Sequence, residues 1–472
     1  MEKTATEKIA TGRPETVLVL DIGKTNAKAA LVEAATLAEI DVLTHPNRPL
    51  PGPPYPHADA EGLWRFVIEA ARAMQTRHGV GAIAVTAHGA TAALVDAGGG
   101  LALPILDYEF AGPDELGRDY DAARAPFAET GSPRLPAGLT LGAQLYWQFR
   151  RFPAEAARAA AILMYPQYWT YRLTGVLASE RTSLGCHTDL WNPHAGRFSS
   201  LVEGMGWSGL MPPLRRAADI LGPVAAGVAA ATGLDPATPV HCGIHDSNAS
   251  LLPHLLARRP PFAVVSTGTW VVSMAIGGRP AALDPARDTL VNVNAFGDPV
   301  PSARFMGGRE WSRLMQDRDP RAGPADAEAV LARGAMLFPA VEPGSGPFPG
   351  RAPRWSVPEA ELAEGERAVV VAWYLALMTG VCLELIGAEG PVVVEGPLAA
   401  NAAFLQMLGA IAPGGLAPPS PTTTGTSVGA ALLALPPAGR SRPGPAPAGE
   451  RQRAPRLAAY AARWRAEVDR AT

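Results

Sequence analysis

Two segments far apart in the chain share one grammar: a short apolar run, a glycine-containing turn, and a second apolar run. The first is TVLVLDIGKTNAKAALVE, starting at Thr16, and the second is FAVVSTGTWVVSMAI, starting at Phe262. Apolar runs of this length, bounded by turn residues, predict strand–loop–strand units. Gly23 gives the first turn the backbone freedom it requires. One such unit in each half predicts an internally duplicated α/β architecture with a cleft between the halves. No short repeat period runs through the chain, which excludes solenoids. At 472 residues there is room for two or three domains, each with a sizeable core.

The stretches between these units supply the remaining elements. Residues 60–78 place Leu63, Phe66, Val67 and Ala70 on one helical face, and 82–85 and 92–95 read as strands. Residues 154–174 read as an alanine-rich helix leading into the aromatic run Tyr165, Tyr168, Trp169 and Tyr171, for which core packing is expected. Near residue 240, PVHCGIHDSNASLL repeats the opening pattern and runs into a helix. Further on come a helix at 368–388, a strand at 391–394, the turn EGPLAAN, a helix at 402–411, and TGTSVGAALLAL as a small-residue loop entering a helix. After Leu435 the segment PPAGRSRPGPAPAGERQRAP predicts a flexible linker, followed by one amphipathic helix at 457–469.

Composition narrows the function classes. Glycine and proline, 49 and 47 residues, fall short of the level that marks low-complexity disorder. A formal net charge of −3 argues against nucleic acid or an anionic membrane as the main partner. Cys186, Cys242 and Cys382 are widely spaced, with no metal-ligand or disulfide pattern, which fits a reducing compartment. The amino terminus, MEKTATEKIATGRPET, has no apolar core and does not read as a signal peptide. The most helix-like apolar run, Ala368 to Leu383, is shorter than a bilayer requires and predicts a buried helix. A cytoplasmic protein is expected.

Three polar turns carry the candidate chemistry. DIGKTNAK offers Asp21, backbone N–H groups around Gly23, the side chains of Thr25 and Asn26, and the ammonium groups of Lys24 and Lys28. The only other lysines are Lys3 and Lys8. Such a loop can cradle phosphate, or it can be an ordinary hairpin turn; it lacks P-loop spacing. STGTW, with Thr267, Gly268 and Thr269, is a second small polar turn or a structural hairpin. GIHDSN places Asp246 just before a helix, where a carboxylate serves equally as an N-cap.

DIGKTNAK, GIHD, STGTW and EGPLAAN, in this order and spacing, resemble the FGGY family of carbohydrate kinases over about residues 16–435. That resemblance implies two ribonuclease-H-like domains of the actin and hexokinase type flanking a central catalytic cleft. It divides the chain into an N-terminal tail (1–15), a sugar-binding domain (16–250), a nucleotide-binding domain (251–436), and a linker with a C-terminal helix (437–472). The implied reaction moves the γ-phosphoryl group of ATP to a sugar hydroxyl, with Mg²⁺ as cofactor and Asp246 as general base. Asp21, Gly23, Lys24, Thr25 and Asn26 resemble the first phosphate hairpin, and Thr267, Gly268 and Thr269 the second. Asp21 and Asp246 would hold the magnesium through water. Gly396, Pro397 and Asn401 match the adenosine turn, although Pro397 replaces a glycine; Gly425 and Ser427 lie in the small-residue segment that follows. His88, Gly89, Asp107 and His245 are the implied sugar contacts, together with Asp246. Around Asp107 the sequence ILDYEF lacks the tryptophan and arginine of the common substrate motif. The IHD form and STGTW are similar to rhamnulose and fuculose kinases, so a ketose of that kind or a polyol is the expected substrate. The cluster His187, Asp189 and His194 matches a packing and substrate-side segment, and no zinc is expected there. An inactive member that binds sugar or nucleotide for regulation is the alternative, and a homodimer is left open.

Overall fold

The computed structural model describes residues 14–316, 318, 322–418, 425–435 and 454–470. Most of the expected tail, including Lys3 and Lys8, and the expected linker up to residue 453 lie outside the described residues. The chain forms two compact units. One holds the chain up to Ala257, then Val291–Pro299 and the helix Thr426–Ala431. The other holds Arg258–Leu290, the chain from Val300 to residue 418, and the C-terminal helix.

The first unit is built on a seven-stranded sheet. Its strands are β1 (Thr16–Ile22), β2 (Asn26–Glu33), β3 (Glu39–Pro46) and β4 (Ala82–Ala87), later joined by β7 (Ile220–Pro223), β8 (Pro239–His241) and β9 (Ile244–His245). The order is β7-β8-β4-β1-β2-β3, with β9 also pairing with β4. β1, β2 and β3 form an antiparallel meander, and β4 lies parallel to β1. Every residue of β1 between Val17 and Leu20 is buried, as expected of a strand covered on both faces. Leu18, Leu20 and Ile22 pack towards helices α1 (Ala60–His78) and α2 (Tyr165–Thr174). Val17 and Val19 pack on the opposite face with Ala249 and Leu252 of α3 (Asp246–Ala257), and with Ala430 and Ala431.

The alanine-rich stretch after residue 154 differs from the expectation of a helix. Only Pro153–Ala156 is helical, and Ala159–Met164 forms strand β6, antiparallel to β5 (Ala92–Asp96). Pairing with β5 and burial of Ile162, Leu163 and Met164 outweigh alanine's helix propensity. The aromatic run starts α2 instead, and Tyr165, Tyr168 and Trp169 are buried, as expected.

The second unit repeats the pattern. β10 (Phe262–Thr267) and β11 (Val271–Ile276) form the hairpin, β12 (Pro299–Phe305) adds antiparallel to β11, and β13 (Val392–Glu395) lies parallel to β10. The edge strand Thr289–Val293 follows β12. Helices α4 (Gly307–Met315), α5 (Glu364–Leu385) and α6 (Ala402–Ile411) surround this sheet. Among the described residues, α5 is long and apolar enough by length and composition to cross a bilayer, but 83% of its apolar window is buried within the protein. It is a core helix, with Trp373 and Tyr374 fully enclosed. The C-terminal helix α7 (Pro455–Arg470) buries Tyr460, Trp464 and Val468, four residues apart on one face. Tyr460 donates to Ala335 O at 2.6 Å and Trp464 Nε1 to Leu337 O at 2.7 Å, fixing this helix to the core.

Candidate active site

In the first unit the candidate residues gather at the ends of β1, β4 and β9. Asp21 sits near the end of β1, opposite Lys28 on β2 and beside Thr86 on β4. The turn that follows is closed by Gly23 N–H donating to Asn26 O at 3.1 Å. Asn47 pins this turn from outside: its side-chain amide donates to Gly23 O at 2.7 Å and its backbone N–H to Thr25 O at 2.8 Å. Burial, and next to it the negative charge of Asp246, raise the Asp21 carboxyl to about 7, against the pull of Lys28. Lys28 itself pairs with Glu39 at 2.8 Å.

Asp246 opens α3 directly after β9. Its Oδ1 accepts from the Ser247 N–H at 2.6 Å and lies 3.2 Å from His245 Nε2. The carboxylate therefore holds the first turn of the helix, as an N-terminal acid does, yet it keeps 32% exposure and can still meet a substrate. His245 is buried. Its backbone N–H donates to Thr182 Oγ1 at 3.0 Å, and its ring meets Asn248 Nδ2 at 3.3 Å and Cys186 Sγ at 3.4 Å. Burial opposes a charged imidazole here, but the charges of Cys186 and Asp246 outweigh it and raise the His245 pKa. Burial likewise opposes a thiolate at Cys186, and His187 and His245 overcome it. A Cβ on Gly89 would stand 2.9 Å from His245 Nε2 and 3.0 Å from Cys186 Sγ, so the site needs glycine at this position.

Lys24 is engaged by acidic and aromatic neighbours. Its ammonium pairs with Asp107 Oδ1, lies 3.4 Å from Glu109 Oε2, and stands 4.6 Å above the Tyr108 ring. The cation beside Asp107 thus comes from the loop after β1 rather than from the ILDYEF segment. His88 packs edge-on to Tyr108 at 5.3 Å and tilts against Tyr165 at 4.8 Å. Lys24, His88, Asp107, Tyr108 and Tyr165 share the lining of one small recess. Burial lowers the His88 pKa, which keeps the imidazole neutral.

The neighbouring loop is held by a separate network. His187 donates from Nδ1 to Leu139 O at 2.7 Å. Asp189 accepts from Arg124 Nε at 2.9 Å and from the Tyr120 hydroxyl. Both His187 and Asp189 have positive φ, 39° and 62°. Asp189 thereby serves to anchor its own strained loop.

The second unit carries its own recess, about 650 Å³, lined among others by Thr267, Gly268, Thr269, Pro397 and Asn401. The Thr267 hydroxyl donates to Glu395 O and accepts from the Leu398 N–H, tying the hairpin to the turn after β13. Gly396 has φ +81°, and a Cβ there would overlap Thr267 O, so this position demands glycine on two counts. Pro397 starts a short 3₁₀ turn, where its missing N–H costs nothing and its fixed φ suits the geometry. Asn401 caps α6 through its Oδ1, which accepts from the Phe404 N–H at 3.0 Å.

Several site residues carried no clear signal in the sequence. Asn47 lies in a loop without a motif, Tyr108 lies inside ILDYEF without a role of its own there, and Cys186 belongs to no metal-ligand or disulfide spacing. Gly308 is the clearest miss. A Cβ on it would overlap Gly268 O, and Gly308 N–H donates to Thr269 O at 3.2 Å. The Gly307–Gly308 pair that opens α4 was the available signal, because a residue without a Cβ lets another backbone approach closely.

Each sheet contains an antiparallel meander of three strands with a fourth strand parallel to its first and a polar hairpin tip, the shared core of the actin-like ATPase fold. The chain resembles solved sugar kinases along almost its whole length. A carbohydrate kinase from Novosphingobium aromaticivorans matches with a TM-score of 0.85 and 36% identity, covering 98% of this chain and 100% of the other. A ligand-bound xylulose kinase from Lactobacillus acidophilus shares the fold with a TM-score of 0.78 at 13% identity, covering 96% and 97% of the two chains. The N-terminal domain model of the FGGY family of carbohydrate kinases matches residues 119–253, and the C-terminal domain model of carbohydrate kinase FGGY matches 259–443. The chain belongs to the FGGY family. A curated relative, the L-xylulose/3-keto-L-gulonate kinase of Escherichia coli K12, is 26% identical over 280 residues, or 55% of each chain. The match therefore spans about half the length of that relative.

Proposed function

We propose that the protein is an ATP-dependent carbohydrate kinase, transferring the γ-phosphoryl group to a hydroxyl of a ketose or a polyol. The observation that carries this reading is the setting of Asp246: a partly exposed carboxylate, fixed by Ser247 and His245, at the start of a helix. Phosphoryl transfer asks a protein chiefly to position the acceptor and balance charge. Asp246 would accept the proton of the attacking hydroxyl as the new bond to phosphorus forms. Thr267, Gly268 and Thr269 would face the nucleotide phosphates, and Gly396, Pro397 and Asn401 the adenosine.

Magnesium fits the residues present. Burial, and after it the negative charge of Asp246, hold the Asp21 carboxyl near 7, and a hard divalent cation would relieve that charge conflict. Those two carboxylates would hold it, through water. Bound there, the ion supplies neutralising charge to the phosphate oxygens.

L-xylulose, which is in the names of two similar kinases, belongs in the substrate panel beside the rhamnulose and fuculose suggested by the IHD and STGTW forms. A cytoplasmic setting fits the need for ATP and the three unpaired cysteines. ADP release measured across ketoses, aldoses and polyols tests the reading. Turnover with at least one ketose or polyol, lost in Asp246→Asn, is expected. Nucleotide binding without turnover on any sugar would point instead to a regulatory member of the family.

A further inference from the structure

The recess around Asp107 contains one ammonium group, and that group is already committed. Lys24 Nζ pairs with Asp107, approaches Glu109 at 3.4 Å, and rests on the face of Tyr108. The Lys24 and Asp107 side chains keep only 22% and 9% exposure, so their pairing is poorly screened, whereas Glu109 is 68% exposed. His88, the other basic residue in the lining, is kept neutral by burial. Burial, and after it the charges of Glu109, Asp107 and Asp246, raise the Tyr108 hydroxyl to about 12. Even with Asp246 left out, two carboxylates face one ammonium.

Resting on the kinase reading above, we propose that this recess selects an uncharged polyhydroxy acceptor and rejects sugar acids, with Lys24 and Asp107 as the specificity-determining pair. A hydroxyl is both donor and acceptor. It can donate to Asp107 and accept from Lys24 without changing the balance of charge. Lys24 and the Glu109 N–H, at 3.1 Å, both reach Asp107 Oδ1, which leaves Oδ2 as the acceptor for a substrate hydroxyl. A carboxylate has no such route. It must either take Lys24 from Asp107, stranding a largely buried aspartate, or stand unpaired beside like charges. Specificity here comes from the repulsive element as much as from the attractive one.

The test compares neutral and acidic acceptors on the full chain: L-xylulose against 3-keto-L-gulonate, and xylitol against xylonate. Wild-type kcat/KM should favour the neutral member by roughly 100-fold or more, since two tenfold steps are a modest result for a like-charge conflict near a protein surface. Asp107→Asn frees Lys24 for an anion and should narrow that ratio by roughly tenfold or more, chiefly by lowering KM for the acid. If Asp107→Asn does not fold, the exposed Glu109→Gln should move the ratio in the same direction by a smaller factor. Equal or better turnover of the acids by wild type overturns the inference while leaving the kinase intact, as does a ratio unmoved in folded Asp107→Asn. If nothing is turned over, the kinase reading fails, and thermal shift with the same pairs decides the inference separately. Stabilisation by the neutral members alone supports it; stabilisation by the acids, or by neither, ends it.

Discussion

At the scale of single residues, the proposed reading gives Asp246 two jobs, holding the helix start and accepting a proton, that substitution can separate. Asp246→Asn keeps an oxygen for the Ser247 N–H but cannot take a proton. Loss of a general base costs roughly 10²–10⁴ in rate, so kcat should fall by that much while calorimetry finds ATP affinity little changed. A variant keeping more than about a tenth of wild-type kcat would remove Asp246 from the role of base. Asp21 gives a prediction of opposite sign. Its carboxyl is raised to about 7 by burial and then by Asp246. The folded protein therefore holds a proton that the unfolded chain releases at lower pH, and the associated stability is lost as pH rises towards 7. In metal-free protein, Asp21→Asn should melt a few degrees above wild type at pH 8, with the gap shrinking by pH 5, while activity falls. A gap that is constant with pH would show that Asp21 is not buried against a like charge. Both aspartates were legible in the sequence because DIGKTNAK and GIHD are local motifs. The partner of Lys24 was not: Asp107 lies 83 residues away, and no local pattern encodes that pairing.

At the scale of elements, glycine reports where two backbones must nearly touch. Gly308 at the start of α4 meets the hairpin between β10 and β11 so closely that any Cβ would overlap Gly268 O. Its φ is not in the left-handed region, so substitution tests space alone. Overpacking of this kind typically costs about 1–3 kcal/mol. Gly308→Ala should displace the hairpin and weaken ATP binding roughly tenfold or more, read by calorimetry on protein whose circular dichroism is unchanged. Unchanged ATP affinity would mean that the hairpin does not hold the nucleotide. The sequence made the hairpins themselves legible, since apolar runs flanking a glycine turn need no distant partner. It misled at Ala159–Met164, where alanines suggested a helix and the pairing with β5 imposed a strand. Local propensity lost there to a contact that only the fold supplies. The C-terminal helix was visible as an amphipathic stretch over 457–469, but nothing local told that Ala335 and Leu337 would receive its polar groups.

At the scale of the whole molecule, the path of the chain matters more than the position of any boundary. A cut near residue 250, the natural reading of the sequence, predicts an N-terminal half that folds alone. The compact first unit, however, also takes Val291–Pro299 and the helix Thr426–Ala431. That helix crosses α3 so closely that a Cβ on Gly429 would overlap Ala249 O, and Ser250 Oγ lies 3.2 Å from Thr426 Oγ1. Ala430, Ala431, Leu433 and Ala434 complete the cluster that covers Val17 and Val19 of β1. Val293 is likewise fully buried, and a Cβ on Gly185 would overlap it. A fragment ending at Ala257 would expose all of these surfaces. Full burial of one leucine or valine side chain is worth about 1.5–3 kcal/mol, and domains have only about 5–15 kcal/mol in total. The fragment 1–257 should therefore lack a cooperative melting transition and bind a hydrophobic dye. A fusion that returns residues 291–299 and 425–435 through flexible linkers should restore the transition. Cooperative melting of the bare fragment, within a few degrees of the intact chain's first transition, would show that the N-terminal half is complete without the returning segments. It would also place the determinants of the Asp246 helix entirely upstream of residue 258.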